Sequence, residues 1–330
     1  MGWHKLSEKV ESAATLEFQA ELRLGTLVVR IKSNIPDFRV LERFSQAARL
    51  EGKNTAHVEL WCVSVERARL SELWLQTHTR EHELCDSRGA PVRMAEEGTT
   101  HFVFGSDHLE GIVWSFYLRY FLSLHAMESD ALHLKAAAVS FQDATLLLGA
   151  GGTGKTVLLA HLCGAGARFV TNTHALIKDG QITGVATCMR VRPSAAMTPL
   201  VEQAAMAIGH KTGEVNVDPM RLFRLATGGE RIKNVCVVNF TEPGCASIEE
   251  LSIRDLQHYA EEFALPINTY KLEDDLFAFM RRDPRRFAAA YAGMKGRLGE
   301  VVANSRRYLL NVDVTRPENL LKVVSLLSDN

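Results

Sequence analysis

The pattern of apolar and polar positions predicts β-structure in the first third of the chain. Apolar runs typical of strands occur at 24–31 and 57–65, and shorter strand-like patches lie near Val92 and at 101–104. Polar or turn-forming residues bound each of these segments. Together they predict a small lobe that is mainly β.

Helical patterns complete this lobe. Residues 109–124 follow the capping residue Ser106 and carry one broad apolar face, which predicts a buried packing helix. A short helix is expected over 40–50, whereas residues 1–20 are interpreted as a polar lead-in with weak helical character. We therefore place an N-terminal α+β lobe at 1–130.

Beyond residue 130 the pattern changes to short strands that alternate with helices. We predict a strand over 132–141, a turn at Gln142, and a strand over 145–148 that leads into a glycine-rich loop. Two strands this close in sequence predict an antiparallel hairpin, which differs from the crossover connection of an ordinary doubly wound nucleotide-binding fold.

The rest of the chain continues this alternation. Further strands are predicted at 168–170, 175–178, 181–185, 232–240 and 308–314, and helices after Thr156, after the successive capping boxes at Ser247 and Ser252, after Asp283, and at the C-terminus. Residues 194–231 are irregular and are interpreted as a segment that orders over a ligand. The expected fold class is α/β with α+β character, with a nucleotide-binding core and mixed sheet over 131–330.

The strongest chemical signal is the loop between the strand 145–148 and the next helix, which matches G-x-x-x-x-G-K-[ST] at every fixed position. Its glycines can turn successive N–H groups inward around an anion, and the helix adds its own first N–H groups. Lys155 is expected to reach the β- and γ-phosphates, and the Thr156 hydroxyl to ligate Mg²⁺. The residues expected to bind the nucleotide are Gly149, Gly151, Gly152, Thr153, Gly154, Lys155, Thr156 and Val157.

Two other patterns carry weaker chemical hypotheses. Arg190 and Arg192 alternate in an extended segment, so both project from one face and suit a phosphate or a carboxylate, although a solvated edge strand explains them equally well. His78, Glu81 and His82 satisfy H-x-x-E-H, the inverted zinc-peptidase pattern. Because no convincing third ligand follows, we favour a solvated charged turn over a zinc site there.

Composition changes this picture little. The chain has 38 basic and 39 acidic residues, a balance that does not favour nucleic acid as a partner. Arginines bunch at 281–286, and we interpret them as a solvated helix end. Six cysteines without a C-x-x-C pair suit reduced thiols, and neither a cleavable signal nor a bilayer-spanning segment is visible, so we expect a cytoplasmic protein without a membrane partner.

From Leu132-His133 through the hairpin and the loop to 169–173, the sequence resembles the bacterial HPr serine kinase/phosphorylase group, whose nucleotide core is related to phosphoenolpyruvate carboxykinase. In that group a histidine precedes the loop by one hairpin, as His133 does here. A strand after the loop helix ends in two adjacent aspartates, where this chain has Asn172 and Thr173. The resemblance is good over 130–190, loose over 20–130 and faint beyond 240.

The resemblance implies a P-loop kinase core of the HPr kinase type, Mg²⁺, and ATP or GTP as phosphoryl donor. Members of the group commonly assemble as hexamers, so a homo-oligomer stays open for this chain. In the group the first aspartate accepts the proton of the acceptor hydroxyl, and neither Asn172 nor Thr173 can do so near neutral pH. His174 or His133 could take the proton, with a structural role an equal alternative for each, and Asn172 is expected to act as a neutral Mg²⁺ ligand or orienting group.

These features lead to one main functional hypothesis and two alternatives. The main hypothesis is a Mg²⁺- and NTP-dependent kinase that phosphorylates a hydroxyl of a small metabolite, such as a sugar or nucleoside-like biosynthetic intermediate, with Lys155, Arg190 and Arg192 bearing the charge. The acceptor could instead be a serine on a peptide or carrier protein. The loss of the aspartates also admits a catalytically dead regulator that only binds the nucleotide.

Overall fold

The computed structural model describes residues 5–52, 55–192, 197–198, 202, 205–208, 213–240 and 246–328. The chain divides into two units, Met1–Phe121 and Leu122–Asn330. Both contain helices and β-sheet, and parallel and antiparallel pairs occur in each main sheet, so the α/β class with α+β character is confirmed.

The first unit is built on a seven-stranded mixed sheet. Its strands are β1 (Phe18–Leu24), β2 (Leu27–Ser33), β3 (Arg49–Leu50), β4 (Val58–Ser64), β5 (Arg80–Cys85), β6 (Pro91–Glu97) and β7 (Thr100–Gly105), in the spatial order β3-β1-β2-β4-β7-β6-β5. Helices α1 (Leu6–Ala13) and α2 (Glu72–His78) contribute Val10 and Leu75 to a core with Trp61, Phe102 and Phe104. Burial of these aromatic side chains is the main favourable contribution to this core.

Two sequence-based assignments in this unit are wrong. The lead-in predicted over 1–20 does contain a helix, α1, but its last residues, 18–20, begin β1, which pairs with β2 through a turn at Gly25. The alternation of apolar and charged residues fits a strand because Glu21 lies opposite Arg30 across the hairpin, and the two side chains form an ion pair. The helix expected over 40–50 is replaced by two short 3₁₀ turns.

The predicted packing helix is present and longer than expected. It begins with α3 (Glu110–Ile112), continues through a π-helical segment (Val113–Tyr117) and ends with α4 (Leu118–Glu128). The chain passes from the first unit to the second within α4.

The second unit contains a nine-stranded sheet and a separate three-stranded sheet. The larger has β8 (Leu132–Lys135), β9 (Ala137–Ser140), β10 (Ala144–Leu148), β11 (Arg168–Thr171), β12 (His174–Lys178), β13 (Gln181–Gly184), β17 (Glu230–Asn239), β18 (Ala246–Glu250) and β19 (Arg306–Val312). The smaller has β14 (Met189–Val191), β15 (Ala205–Ile208) and β16 (Val215–Val217). The helices are α5 (Lys155–Gly164), α6 (Ile253–Phe263), α7 (Pro266–Tyr270), α8 (Glu273–Phe279), α9 (Pro284–Ala303) and α10 (Pro317–Ser328).

The direction of the central strands decides where the loop after β10 lies. β10, β17 and β19 are mutually parallel, and β9 is antiparallel to both β10 and β11. β11 therefore runs in the same direction as β10, and the carboxyl ends of these four strands meet at one edge of the sheet. Loops at this edge are where open α/β sheets place their ligands.

The single strand predicted over 132–141 is two strands that meet at Ala136. β9 pairs with β10 in the predicted antiparallel hairpin, with Ala137 opposite Leu147. β8 pairs instead with β12, with His133 opposite Leu176. At the junction, the Ala136 N–H donates a hydrogen bond to the carbonyl of Thr173 (3.0 Å).

The second predicted hairpin, with its turn at Asp179 and Gly180, is present as β12 and β13. The predicted capping box at Ser247 is wrong, because residues 246–250 form the strand β18 and pair with β19. Ser252 does cap a helix, since its hydroxyl accepts a hydrogen bond from the N–H of Asp255 (3.1 Å). Cys245, Pro193 and parts of the segment 194–231 lie outside the described residues. The prediction that 194–231 is irregular is wrong for its described parts, because β15 and β16 lie there and pair with each other.

Among the residues that the structure describes, no helix has both the length and the apolar character needed to span a bilayer.

The two serines provide a matched test of this part of the fold. Replacing Ser252 by Ala removes a cap from α6, and we expect the free energy of unfolding to fall by about 1 kcal/mol. Ser247→Ala changes an exposed strand position, and we expect a change within about 0.5 kcal/mol. Urea unfolding followed by circular dichroism measures both. A larger loss of unfolding free energy for Ser247→Ala than for Ser252→Ala would contradict the assignment of residues 246–250 to β18.

Candidate phosphate-binding site

The loop 149–156 leaves the sheet at the carboxyl end of β10 and turns directly into α5. Gly154 stands immediately before the helix in the left-handed region, with φ of 84°, and Gly152 has φ of 87°. Both conformations favour glycine. The first N–H groups of α5 have no partner within the helix, so the helix start offers donors to an anion.

Gly149 is required for a steric reason. A β-carbon at this position would lie 2.6 Å from the Thr153 hydroxyl and 2.9 Å from the carbonyl oxygen of Val238 on β17. At Gly154, a β-carbon would lie 2.8 Å from the Val314 side chain. Gly151, by contrast, is exposed and has no atom within 4 Å of such a β-carbon. The backbone of the loop is therefore packed tightly at its two ends and open in its middle.

The side chain of Lys155 folds back into the loop. Its ammonium donates hydrogen bonds to the carbonyl oxygens of Gly149 (2.7 Å) and Ala150 (2.6 Å) and contacts the Thr153 hydroxyl (3.3 Å). Burial of the ammonium and, to a smaller extent, the positive charge of Lys135 together lower the pKa of Lys155 to about 8. A bound phosphate would oppose this shift by supplying negative charge beside an ammonium whose hydrogen-bond partners within the described residues are neutral oxygens.

Thr156 and Val157 occupy the first turn of α5, and both are partly exposed. The Thr156 hydroxyl is an oxygen donor of the kind that Mg²⁺ accepts, and Mg²⁺ in nucleotide sites needs only one or two protein oxygens besides phosphates and water. No group of three or more His, Cys, Asp or Glu residues that could hold a metal occurs in the described parts of the chain. The loop therefore fits a metal that arrives with a nucleotide.

Asn172 and Thr173 follow β11, whose carboxyl end lies at the same sheet edge as the loop. The amide oxygen of Asn172 accepts hydrogen bonds from the hydroxyls of Thr187 (2.6 Å) and Thr173 (3.0 Å), and its NH₂ group donates to the carbonyl of Cys188 (3.3 Å). Thr187 is fully buried. The two residues that stand where the HPr kinase group has its aspartate pair thus belong to a neutral hydrogen-bonded cluster. The assignment of Asn172 as a Mg²⁺ ligand stays a prediction.

His133 and His174 form a buried pair between β8 and β12. Nε2 of His133 lies 3.1 Å from Nδ1 of His174, and Nδ1 of His133 lies 3.0 Å from the hydroxyl of Ser123. Both imidazoles are almost completely buried, with 0% and 1% exposure. A proton from an external hydroxyl would therefore reach them only through another group, and their role as a base stays a prediction.

Arg190 and Arg192 do project from one face of β14, as the alternation predicted. The intervening Val191 and the preceding Met189 are buried in the core that surrounds α5, so the two arginines face away from that core. Both arginines are exposed, and Arg192 forms an ion pair with Glu214 (3.2 Å). Their assignment to phosphate stays a prediction, and the solvated edge strand describes their surroundings.

The H-x-x-E-H pattern is divided between two elements. His78 ends α2, whereas Glu81 and His82 lie in β5. The helical spacing that would bring both histidines to one metal is therefore absent, in agreement with our preference against a zinc site.

Sequence reasoning missed three residues that contact the loop or the strands beside it. Lys135 ends β8 and has its ammonium 5.5 Å from the centroid of the Tyr270 ring. Burial raises the pKa of the Tyr259 phenol, and a hydrogen bond with the backbone of Ala150 opposes that rise. A lysine inside the apolar run 132–139 was the one available signal, since Tyr259 and Tyr270 lie far from the loop in sequence.

Asp313 was also missed. It follows β19 directly and is buried, and its carboxylate accepts hydrogen bonds from the N–H (3.0 Å) and hydroxyl (2.5 Å) of Thr315. The next residue, Val314, is the one that limits space at Gly154. Asp313 therefore stabilises the turn in which Val314 packs against Gly154 of the loop.

No protein-family model matches the chain, and a search of the curated proteins found no match. The likeness to the HPr kinase group therefore depends on the residues described above.

Gly149 and Gly151 allow the loop geometry to be tested without any ligand. Gly149→Ala forces a β-carbon into occupied space, and we expect a loss of about 1–3 kcal/mol in the free energy of unfolding. Gly151→Ala enters open space, and we expect a change within about 0.5 kcal/mol. Urea unfolding of the two variants measures the difference, and equal midpoints would show that the loop is not packed as described.

Proposed function

We propose that this chain binds a Mg²⁺–nucleoside triphosphate at the loop 149–156 and transfers its γ-phosphoryl group to a hydroxyl of a small metabolite. The observation that carries the proposal is Lys155, whose ammonium lies inside a glycine loop at a helix start and, among the residues that the structure describes, is hydrogen-bonded to neutral oxygens. Such a site is short of negative charge, and a triphosphate supplies it.

Phosphoryl transfer suits a site of this composition. Its transition state is loose, so catalysis depends on positioning and on stabilising the charge of the transferred group more than on removing the acceptor's proton early. Lys155 and the N–H groups of the loop stabilise that charge, while Thr156 would hold Mg²⁺. When bound, Mg²⁺ neutralises charge on the phosphate oxygens.

The neutral cluster of Asn172, Thr173 and Thr187 would orient the acceptor hydroxyl. It lies at the sheet edge beside the loop, and its hydroxyls and amide can donate or accept hydrogen bonds. A serine on a peptide or carrier protein remains an alternative acceptor, since its hydroxyl has the same chemistry.

One observation favours a second function, a regulator that binds the nucleotide without turnover. The amide oxygen of Asn172 already accepts two hydrogen bonds, and it replaces the carboxylate that acts as base in the HPr kinase group. The two functions share the nucleotide site and differ in whether an acceptor is consumed.

Lys155→Ala tests the nucleotide site. We expect the variant to lose binding of ATP and GTP by at least about 100-fold, because charge-assisted hydrogen bonds to phosphate are lost. Isothermal titration calorimetry with Mg²⁺ measures binding, and the release of nucleoside diphosphate measures turnover on a panel of hydroxyl compounds. Acceptor-dependent release that Lys155→Ala abolishes supports the kinase, whereas tight binding without release across the panel supports the regulator. Unchanged binding by Lys155→Ala would remove both functions.

The pH dependence of binding follows from the lowered pKa of Lys155. In the free protein this lysine loses its proton above about pH 8, and bound phosphate raises its pKa because it favours the charged form. Binding should therefore take up a proton above pH 8, and the affinity should fall toward about tenfold per pH unit as the pH rises further. Calorimetry at pH 9 in two buffers of different ionisation enthalpy measures the uptake. Binding with no proton uptake at this pH would contradict the assigned environment of Lys155.

A further inference from the structure

The C-terminal half of α6 carries two aromatic side chains that stack on each other. Tyr259 and Phe263 are four residues apart, so both project from one side of the helix. Their ring centroids are 4.8 Å apart, and the ring planes make an angle of 31°. Tyr259 is partly buried, whereas Phe263 is 44% exposed. The inner ring therefore holds the outer ring at the surface.

The pair is connected to the phosphate loop through Tyr259. The phenol of Tyr259 has a hydrogen bond with the backbone of Ala150. Because this bond lowers the pKa of the phenol it favours the phenolate, which can only accept, so the donor is the Ala150 N–H. The carbonyl oxygen of Ala150 accepts hydrogen bonds from Lys155 (2.6 Å) and the Thr153 hydroxyl (3.1 Å). Tyr259 thus contacts the same loop residue that binds the candidate phosphate lysine.

The residue after Phe263 contacts the strand that leads to the candidate acceptor side. The carbonyl of Ala264 accepts a hydrogen bond from the backbone N–H of Lys135 (2.8 Å), and the N–H of the next residue, Ala136, donates to the carbonyl of Thr173 (3.0 Å). Thr173 belongs to the neutral cluster that would orient the acceptor hydroxyl. The end of α6 therefore extends from the loop to the junction beside this cluster, and Phe263 lies between the two contacts along the chain.

The exposed ring of Phe263 has a chemistry that suits one class of acceptor. An aromatic ring offers a flat apolar face, and the heteroaromatic bases of nucleosides stack on phenylalanine and tyrosine whatever their identity. A nucleoside joins such a base to a ribose that carries hydroxyl groups. A base stacked on Phe263 leaves that ribose free to reach the loop, since the stacking partner Tyr259 is itself hydrogen-bonded there.

We propose that the acceptor is a nucleoside-type compound whose planar base stacks on Phe263. This inference rests on the function proposed above and names the class of its acceptor. In the transfer, a ribose hydroxyl oxygen forms the new bond to the γ-phosphorus, and its proton passes to water. The bond from this phosphorus to the β–γ bridging oxygen breaks, and its electron pair leaves with the nucleoside diphosphate. Phe263 binds the acceptor and takes no part in these bond changes.

Phe263→Leu tests the stacking, because leucine keeps an apolar side chain without an aromatic face. We expect the affinity for adenosine or uridine to fall by about 5- to 100-fold, and the affinity for ATP to change by less than about threefold because the loop is intact. Calorimetry measures ATP binding with Mg²⁺, and nucleoside binding with Mg²⁺ and a non-hydrolysable ATP analogue that fills the donor site. Phe263→Trp keeps an aromatic face and should bind the nucleosides within about threefold of wild type.

Turnover gives a second readout. The stack is the same before and during the transfer, so Phe263→Leu should raise the KM for the nucleoside by the same factor and change kcat by less than about threefold. Glucose, glycerol and mannitol carry hydroxyls without a planar ring, and we expect no release of nucleoside diphosphate above background with them.

Ile253→Ala is the matched control. Ile253 is 45% exposed at the first residue of the same helix, ten residues and about 15 Å along its axis from Phe263. It should leave the affinities for nucleoside and ATP unchanged. If Phe263→Leu fails to fold, as judged by circular dichroism, Phe263→Ala and Phe263→Trp give the same comparison, with the loss expected only for alanine.

Several outcomes would overturn the inference: no nucleoside bound by the wild-type chain, turnover of glucose or a polyol without turnover of nucleosides, no loss in Phe263→Leu, or an equal loss in Ile253→Ala. A loss of ATP affinity as large as that for the nucleoside would also do so, since Phe263 would then serve the donor. A failure of the proposed function is distinguishable, because the wild-type chain then binds no triphosphate, or Lys155→Ala binds it as well as wild type does.

Discussion

The second unit depends on one physical constraint: an ammonium group is enclosed by a backbone loop that offers it only neutral oxygens. Lys155 donates hydrogen bonds to the carbonyls of Gly149 and Ala150, but it gives up hydration, and these neutral oxygens do not neutralise its charge. The loop can enclose it because Gly149 brings the backbone to within van der Waals distance of β17 and Gly154 starts the helix in the left-handed region. A bound anion therefore relieves a cost that is already present in the free protein.

The sheet gives this loop its neighbours. Because β11 lies beyond β9 in the same sheet and runs in the same direction as β10, the turn after β11 lies at the edge where the loop begins. The break at Ala136 then sends β8 away from β10 to pair with β12. Because of this change of partner, Lys135, His133 and His174 lie on β8 and β12, outside the parallel central strands. One backbone hydrogen bond, from the N–H of Ala136 to the carbonyl of Thr173, thus connects the junction of β8 and β9 with the turn after β11.

How far the sequence could predict these features depends on how local their causes are. The strand, loop and helix at 144–164 follow from apolar runs and a fixed spacing of glycines, and the structure agrees with them closely. The same holds for the hairpins, whose turns are determined by neighbouring residues. The predicted capping box at Ser247 was wrong because such a box is a local pattern, whereas residues 246–250 pair with β19, a strand about 60 residues later in the chain. Tyr259 and Tyr270 could not be found from the sequence, because the packing of α6 and α7 brings Tyr259 to Ala150 of the loop and Tyr270 to Lys135 on β8.

The resemblance to the HPr kinase group would place a carboxylate where Asn172 stands, and the amide has a different electrostatic consequence. A carboxylate at this position would lie near the hydroxyls of Thr173 and Thr187 and would add negative charge to the sheet edge at which the loop lies. The amide keeps a hydrogen-bond acceptor without that charge. Under the proposed function, the positive charge of Lys155 would then act on the phosphate, and the cluster around Asn172 would orient the acceptor instead of supplying a strong base. For a transition state in which the transferred phosphoryl group is only loosely bonded to both oxygens, charge at the phosphate matters more than charge at the acceptor.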